Sequence, residues 1–330
     1  MILVSEQDII NTYSKEEQFS CKKYCEYCEL IKLNPSFGYK RCAKLLGVPQ
    51  GRIRWWHTKG EKRAVPIPLK TVKKLKENNL LPFTEKHKNA EDIFRMLGVL
   101  FGDGGIDTRL NTMAFISSDK KDIDLWKKDL ISVFPFAKNK INVVEGGEYG
   151  HSFNIRTFDR SIIRFFVALG AVVGDKVATE YSPPAYIPSL KEKNRIAFLD
   201  GLLASEVSVP VFRDDAKGSF RFTNFSLGLS KIEKLETSHK IFFNSLKQLS
   251  ESVGLTCTPN LRKDFSKKVF RKDGNCSHCF RIFFQTHFEK IMFFNKTFPL
   301  KYASDKKQRL QKEIESAVAH KAMLAKTIHI

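Results

Sequence analysis

Apolar residues recur at helical and strand spacings after residue 90 and predict a repeated order of elements. In each half an apolar run predicts a helix, followed by two strands, a second helix, two more strands and a third helix. Besides the two runs described below, the predicted helices are residues 121–134, 161–169, 231–253 and 287–295, and the predicted strands are a hairpin over 106–118 and residues 141–144, 153–158, 207–213, 219–229, 256–270 and 280–285. Segregated helices and strands in this order predict an α+β class with two tandem αββαββα units.

The first third of the chain has helical spacing only. Residues 1–33 read as helical, and residues 39–46 and 49–57 form a pair of short helices around a turn at Gly47-Val48, which is helix-turn-helix spacing. On the second helix of this pair Gln50, Arg52 and Arg54 would lie on the exposed side, where groove-reading residues sit. A small helical hairpin without DNA contact is the alternative.

These patterns define the domain boundaries. We expect a helical DNA-binding domain at residues 1–83, a linker at 84–90, repeats at 91–188 and 189–310, and a basic C-terminal helix or tail at 311–330.

Two related apolar runs are the most informative stretches. Residues 96–104 read Met-Leu-Gly-Val-Leu-Phe-Gly-Asp-Gly, and residues 199–207 read Leu-Asp-Gly-Leu-Leu-Ala-Ser-Glu-Val. Small residues four apart share one helical face and let two helix backbones approach closely. The alternative without a functional role is two ordinary buried helices that end near an acid.

If these helices pair in parallel, Asp103 and Glu206 emerge side by side. Two neighbouring carboxylates repel each other unless a cation lies between them, and a divalent metal on a phosphate is the usual solution. The two acids lie 103 residues apart, which predicts a duplicated unit of about one small domain.

The charge balance indicates a polyanionic partner. The 330 residues include 56 Lys plus Arg against 36 acids, a formal net charge of +20. Basic residues are spread along the chain and no stretch has transmembrane length, which favours nucleic acid over a membrane. Seven cysteines at uneven spacing argue against a secreted disulfide framework, and the N-terminus has no signal-peptide pattern, so we expect a cytoplasmic, intracellular protein.

The first run resembles the signature helix of the LAGLIDADG homing endonucleases, in the form Leu-Gly-x-x-x-Gly-Asp-Gly. The second run resembles the partner helix of the single-chain members, although Ser205 and Val207 stand where glycines are usual. The resemblance covers roughly residues 91–310. It implies two repeats that form a pseudo-twofold saddle, with sheets along the major groove and acids that hold metal ions over the minor groove.

The resemblance also implies the remaining site residues. Asp103 and Glu206, with the preceding Gly102 and Ser205, are assigned to Mg²⁺ or Mn²⁺, since carboxylates with retained waters suit magnesium. The stretch Leu-Gly-Ala-Val-Val-Gly-Asp-Lys resembles the family segment with an assisting lysine, which makes Lys176 the candidate. In the second repeat Lys301, Lys306 and Lys307 are alternatives, and Lys307 is the candidate we assign. Any single lysine in so basic a chain is alternatively a solvated phosphate contact.

Strand residues with donor and acceptor groups are the candidates for reading base edges. In the two repeats they are Arg109, Asn111, His151, Asn154, Arg156, Arg213, Arg221, Asn224, Arg262, Arg281 and Gln285.

Cysteines leave two metal alternatives open. Cys276-Ser-His-Cys279 is compatible with zinc, with Cys257 or His287 as further ligands, but a lone Cys-x-x-Cys is a weak signal. Cys21, Cys25 and Cys28 fit one helix face better than a metal site, because no second ligand pair follows at finger spacing.

The sequence therefore predicts a free-standing, monomeric endonuclease that cuts a long asymmetric double-stranded DNA site by metal-dependent hydrolysis. A DNA-binding regulator that has lost cleavage is the main alternative, motivated by Ser205 and Val207. An intron RNA-splicing helper, or maturase, is a weaker alternative, because no aromatic RNA-stacking motif is present.

Overall fold

The structure, a computed structural model, describes residues 1–146, 152–215, 219–259 and 261–327 and has the α+β class predicted. His151, a predicted groove residue, lies outside these ranges. The chain begins with the following elements: β1 (Ile2–Val4), α1 (Glu6–Asn11), α2 (Lys15–Leu33), α3 (Tyr39–Leu46), α4 (Gln50–Ala64), α5 (Ile67–Glu77) and β2 (Phe83–Thr84).

The N-terminal stretch is not one helix. Ser5 caps α1 and Ser14 caps α2, each through a capping box in which the serine hydroxyl accepts from the N3 backbone and the N3 carboxylate accepts from the serine backbone. These boxes start two separate helices, and β1 pairs with β2 in an antiparallel arrangement. The paired helices predicted after residue 38 are confirmed as α3 and α4, and Gly47 between them has a φ of 62°.

An aromatic cluster holds the first helices together. Trp56 lies edge-on to Tyr24 with ring centroids 5.3 Å apart, and Tyr27 lies 5.6 Å from the same indole. Ile53 and Cys42 are fully buried in this cluster. The apolar face of α4 is therefore used for packing, which leaves its polar face to solvent.

The next segment follows the predicted order. It contains α6 (Ala90–Phe101), β3 (Gly105–Ile106), β4 (Met113–Ser117), α7 (Lys120–Val133), β5 (Ile141–Glu145), β6 (Phe153–Thr157) and α8 (Arg160–Ala168). These bounds lie close to the predictions, with β3 and β4 forming the hairpin expected over 106–118. The four strands form one antiparallel sheet in the order β3-β4-β6-β5.

The last segment has a second sheet and one extra hairpin. Its elements are α9 (Glu192–Glu206), β7 (Val207–Ser208), β8 (Val211–Asp215), β9 (Ser219–Thr223), β10 (Ser226–Ile232), α10 (Glu236–Glu251), β11 (Arg262–Phe270), β12 (Cys276–Phe283), α11 (Phe288–Thr297) and α12 (Ser304–Thr327). The second four-stranded sheet has the order β7-β10-β12-β11, which repeats the order of the first, and β8 pairs with β9 separately.

Several element predictions in this segment are wrong. The strand predicted over 256–270 begins only at Arg262, and the C-terminal helix predicted from residue 311 begins earlier, at Ser304. Residues 207–213 and 219–229 were each predicted as one strand, but each divides between the second sheet and the β8–β9 hairpin. Pro210, which cannot donate to a strand ladder, separates β7 from β8, and Asn224, with a φ of 63°, separates β9 from β10. The helix predicted from residue 231 begins at Glu236, because β10 continues to Ile232.

Contacts divide the chain into two units, Met1–Thr84 with Arg160–Leu169, and Glu85–Asp159 with Gly170–Ile330. Helix α8 thus groups with the N-terminal elements, and the Phe165 ring lies edge-on to Phe83 at 5.3 Å. Within the described ranges, no helix combines the length and the apolar character needed to cross a membrane.

Candidate functional site

Helices α6 and α9 pack backbone to backbone in parallel. A Cβ atom added at Gly98 would overlap the Phe198 carbonyl oxygen, and one added at Gly201 would overlap the Arg95 carbonyl oxygen. One turn further on, Gly102 lies against Ser205 and Glu206. The predicted close approach at the small residues is therefore confirmed, and both helices end on the same side.

This packing brings Asp103 and Glu206 into one electrostatic environment. Burial, and secondarily the neighbouring Asp103 carboxylate, raise the pKa of Glu206 to about 7, although the charges of Lys176 and Lys306 partly offset both effects. Asp103 reaches solvent, yet partial desolvation still raises its pKa against the charges of the same two lysines. A pair of carboxylates that resists ionisation is a ready ligand for a divalent cation.

Two lysines close the C-terminal ends of these helices in matching ways. Lys176 Nζ donates to the Gly102 carbonyl and, at 2.6 Å, to the Gly104 carbonyl. Lys306 Nζ donates to the Ser205 carbonyl and, at 2.8 Å, to the Ala204 carbonyl. Burial lowers the pKa of each lysine, and the two acids raise it.

Lys306, rather than the assigned Lys307, is the lysine that the structure brings to the acids. Lys307 Nζ donates to the backbone and side-chain oxygens of Asn295, both at 2.8 Å, because consecutive residues on a helix point about 100° apart. Lys301 is also engaged elsewhere, in ion pairs with Asp92 at 3.0 Å and Asp129 at 2.7 Å.

A buried ion pair holds the approach to α12 in place. Asp200 of α9 is fully buried and accepts from Arg95 Nε of α6 at 2.9 Å. The same carboxylate accepts from the Leu300 backbone N–H at 2.7 Å. Asp200 thereby ties both central helices to the segment that leads into α12, and so to Lys306.

Open space borders this site. A cavity of about 400 Å³ is lined by Asp103, Ser205 and Lys306 together with Arg309. A second cavity, of about 780 Å³, includes Lys306 and Arg309 in its lining as well. Asp103 therefore faces accessible volume, and the lining of that cavity combines two cations with the further carboxylates Asp119, Asp122 and Asp305.

Lys231 was missed at the sequence level. Its side chain is 1 % exposed, and its Nζ donates to the Lys176 and Thr179 carbonyls, both at 2.6 Å, and lies 3.7 Å from the Tyr181 ring centroid. Desolvation lowers the pKa of Lys231 to about 8. A sequence signal for the burial of Lys231 exists, because Leu227, Leu229 and Lys231 alternate along β10 and therefore share one face of the strand.

The predicted groove residues fall on several surfaces. Asn154 and Arg156 share one face of β6, with Arg156 opposite Ala114 and Asn142 in the register. Arg109 is exposed and Asn111 half-buried in the connection between β3 and β4, while Gln285 follows β12 and donates its backbone N–H to Thr256.

In the second segment arginines face each other across strands. Arg213 lies directly opposite Arg221 in the β8–β9 hairpin, and Arg262 lies opposite Arg281 in the second sheet. Asn224 and Arg281 also line the larger cavity. Like charges directly opposite each other destabilise a sheet, so these pairs fit a surface that meets a polyanion.

The polar residues predicted on α4 are on its free side. Gln50, Arg52 and Arg54 are all exposed, whereas Ile53 and Trp56 are buried. The helix therefore presents a basic face, as expected from the sequence.

Comparisons with known proteins found distant relatives only. No protein-family model matches the chain. It is 27% identical over 222 residues to DNA-directed RNA polymerase subunit Rpo1N of Methanocaldococcus jannaschii, covering 61% of this chain and 16% of that protein. It is 27% identical over 197 residues to tRNA-splicing ligase RtcB of Methanopyrus kandleri, covering 56% and 19%, and 28% identical over 180 residues to the archaeal Lon protease of Pyrococcus abyssi, covering 52% and 17%. The chain thus spans less than a fifth of the length of each of these three relatives.

Among solved structures, mesophilic variants of the homing endonuclease I-DmoI give a TM-score of 0.40 at 13% identity, covering 64% of this chain and 91% of that chain. I-DmoI in complex with DNA and Mn gives 0.38 at 15% identity, covering 64% and 97%. These similarities are too remote to assign the chain to a family.

Proposed function

We propose that this protein is a DNA endonuclease of the LAGLIDADG type, built from two repeats of the αββαββα order and a helix-turn-helix unit. The observation that carries the proposal is the parallel pairing of α6 and α9, which places Asp103 and Glu206 beside each other with one lysine on each helix end. The repeated strand order of the two sheets supports a duplication, with the β8–β9 hairpin as an insertion in the second repeat.

The three relatives differ in activity, which favours a genetically mobile segment that has entered unrelated proteins. An RNA polymerase subunit, a tRNA-splicing ligase and a protease share no activity, yet each contains a segment similar to this chain that makes up 16% to 19% of its length. The similar segment therefore supplies none of these three activities. A nuclease that spreads its own coding segment between hosts accounts for that distribution.

The donor set fits a hard divalent cation. Two carboxylates with raised pKa values offer oxygen ligands, which suits Mg²⁺ or Mn²⁺. The carbonyl oxygens of Gly102 and Ser205, the other ligands assigned from the sequence, accept from Lys176 and Lys306, so these ammonium groups would have to turn away before either carbonyl could bind the ion. Such an ion, held by Asp103 and Glu206, would polarise a phosphate and lower the pKa of a water.

The chain's own residues have separate tasks in this proposal. Asp103 and Glu206 would hold the metal ion, and the ammonium groups of Lys176 and Lys306 offset the charge of these acids and bind the carbonyl groups at the helix ends. The exposed arginines of β6, β8, β9 and α4 bind the phosphate backbone of a double-stranded target. Because both acids of the site come from one chain, the proposed enzyme acts as a monomer.

The decisive experiment combines cleavage and binding. We expect the purified chain, titrated with Mg²⁺ or Mn²⁺ in a randomised duplex library, to cut at one long asymmetric site, identified by sequencing cut ends and bound fragments together. Asp103→Asn is expected to abolish cutting while DNA affinity is retained or increased, because removing a carboxylate relieves its repulsion of phosphate. A mutant that still cuts would remove Asp103 from the mechanism, and selective binding without cutting by the wild type would identify the protein as a regulator instead.

A further inference from the structure

A second group of metal-ligating side chains lies where β10 ends and β12 begins. Ile232, the last residue of β10, pairs with Ser277, so the next residue, Glu233, reaches the neighbourhood of Cys276 and His278. One ligand atom from each of Glu233, Cys276 and His278 lies within 4.8 Å of the other two. None of these residues belongs to the site around Asp103.

The register explains why this set, and not Cys276 with Cys279, comes together. Cys276 and His278 are two residues apart on β12 and share one face, whereas Cys279 is on the opposite face. The Cys276–His278 face continues into Phe280, whose ring lies 5.1 Å from His239 of α10. The Cys-x-x-Cys zinc alternative is therefore incompatible with the strand, and a Cys-x-His pair replaces it on the helix-packed side of the sheet.

The three side chains are already drawn together. His278 Nε2 and Glu233 Oε1 share a hydrogen bond of 2.6 Å, and His278 is only 5 % exposed. Cys276 is half-buried and Glu233 is exposed, so the group is open to solvent on one side. An ion can enter from there without unfolding the strand.

The chemistry of this donor set selects a different ion from the all-oxygen site. A thiolate, an imidazole and a carboxylate are typical ligands of zinc, with distances of about 2.0–2.3 Å from the ion. Three protein ligands leave a fourth tetrahedral position for water. Binding requires the three ligand atoms to close around the ion, the Cys276 thiol to lose its proton, and the proton held between His278 Nε2 and Glu233 Oε1 to leave or move to Nδ1.

We propose that Glu233, Cys276 and His278 bind a zinc-class divalent cation, which fastens the start of β12 to the turn that leads into α10. The site is separate from the oxygen ligands at the helix ends. Metal binding at these three residues is independent of whether the protein cuts DNA.

Two lysines lie beside the group, and either ammonium group could compete with a metal ion for these ligands. Lys268 Nζ lies 3.5 Å from Glu233 Oε1, in an exposed ion pair that a bound cation would displace. Lys231 lies opposite His278 in the register, but its ammonium group is held by the Lys176 and Thr179 carbonyls. Lys268 is therefore the competing cation, and Lys268→Ala is expected to tighten metal binding slightly.

Cobalt(II) is the probe that tests the site. We expect the metal-depleted full-length chain to bind one equivalent of Co²⁺ with a thiolate-to-metal charge-transfer band and the strong visible bands of tetrahedral geometry, and Zn²⁺ to displace it. Cys276→Ser should abolish the charge-transfer band and weaken zinc binding more than about 100-fold, because even outer partners of a metal site contribute ~10–100-fold. Cys279→Ser, on the other face of the same strand, is the matched control and should retain the band.

Thermal unfolding gives a second readout if a variant is poorly folded. Zn²⁺ is expected to raise the melting temperature of the wild type and of Cys279→Ser, since a ligand that binds only the folded state stabilises it, but not that of Cys276→Ser or His278→Gln. No charge-transfer band at one equivalent, or a band that survives Cys276→Ser and disappears with Cys25→Ser in α2, would overturn the proposal. Because the band reports the thiolate, Mg²⁺-dependent cleavage has no influence on the result.

Discussion

At the scale of single residues, Glu206 is the group whose ionisation the fold resists most clearly at the proposed site. Burial and the neighbouring Asp103 raise its pKa to about 7, against about 4.3 in an unfolded chain. Between these values the folded state binds a proton that the unfolded state has released. The contribution of Glu206 to stability is therefore fully present below about pH 4.3 and is lost as pH rises through about 7.

This linkage predicts a pH dependence specific to one side chain. Without divalent metal, we expect the free energy of unfolding of the wild type to fall by about 1–2 kcal/mol relative to Glu206→Gln between pH 4.5 and pH 8, a value reduced from the full shift because solvent reaches the site. Urea unfolding in the presence of a chelator at both pH values measures this difference. Parallel pH profiles for the two proteins would show that Glu206 ionises normally.

The two adjacent lysines of α12 provide a second test at this scale. Lys306→Met is expected to lower the cleavage rate about 100-fold, since its ammonium group lies with the acids, while Lys307→Met, whose native partner is Asn295, is expected to change it less than about threefold. Single-turnover rates at saturating Mg²⁺ compare the variants. Equal losses in both would mean that α12 acts through its position alone.

At the scale of elements, the central helix pair depends on the absence of side-chain atoms. Gly98→Ala is expected to destabilise the protein by about 2–4 kcal/mol, because the added methyl group overlaps the Phe198 carbonyl and the two backbones must separate. Gly105→Ala, in the neighbouring strand β3, is the matched control: its Cβ would meet nothing within 4 Å, so the expected change is within about 1 kcal/mol. Chemical denaturation of both variants measures the contrast, and similar losses in both would contradict the backbone-contact explanation.

The helix pair was predictable because its signal is local. Each helix has two small residues four positions apart, a spacing typical of close helix contacts: Gly98 and Gly102 in one, Gly201 and Ser205 in the other. The acid follows immediately after the second small residue in each case. The choice between Lys306 and Lys307 was not predictable, since it depends on the rotation of α12 about its axis, which the buried Asp200 and the preceding segment determine through tertiary contacts.

The strands of the second segment show the same limit. The alternation in residues 219–229 fits one strand, but Asn224 takes a left-handed conformation and divides it between two sheets. Such a break has no hydrophobic signature. It follows from the way the β8–β9 hairpin separates from the second sheet, which is a property of the assembled fold.

At the scale of the whole molecule, the net charge of +20 is distributed over both units. Deleting one unit therefore removes charge and packing at once, which makes deletion a poor test of what each unit contributes to DNA binding. Helix α8 buries Ile163, Phe165 and Phe166 and groups with Met1–Thr84, so removing the N-terminal residues would expose this apolar face. Point substitutions on exposed side chains leave the packing intact and isolate the electrostatic contribution.

The last prediction concerns the basic face of α4. If Arg52 and Arg54 each contact a phosphate, the double variant Arg52→Ala/Arg54→Ala should reduce the slope of log K against log salt by about 1.8, since each phosphate contact contributes ~0.9. Fluorescence anisotropy with a duplex at several salt concentrations measures this slope. The charge-matched control is Lys22→Ala/Lys32→Ala, which removes two exposed lysines from α2, a helix that the proposal does not place on DNA. An equal reduction in both double variants would mean that the affinity follows net charge, whereas a reduction confined to the α4 variant would identify that helix as part of the DNA-binding surface.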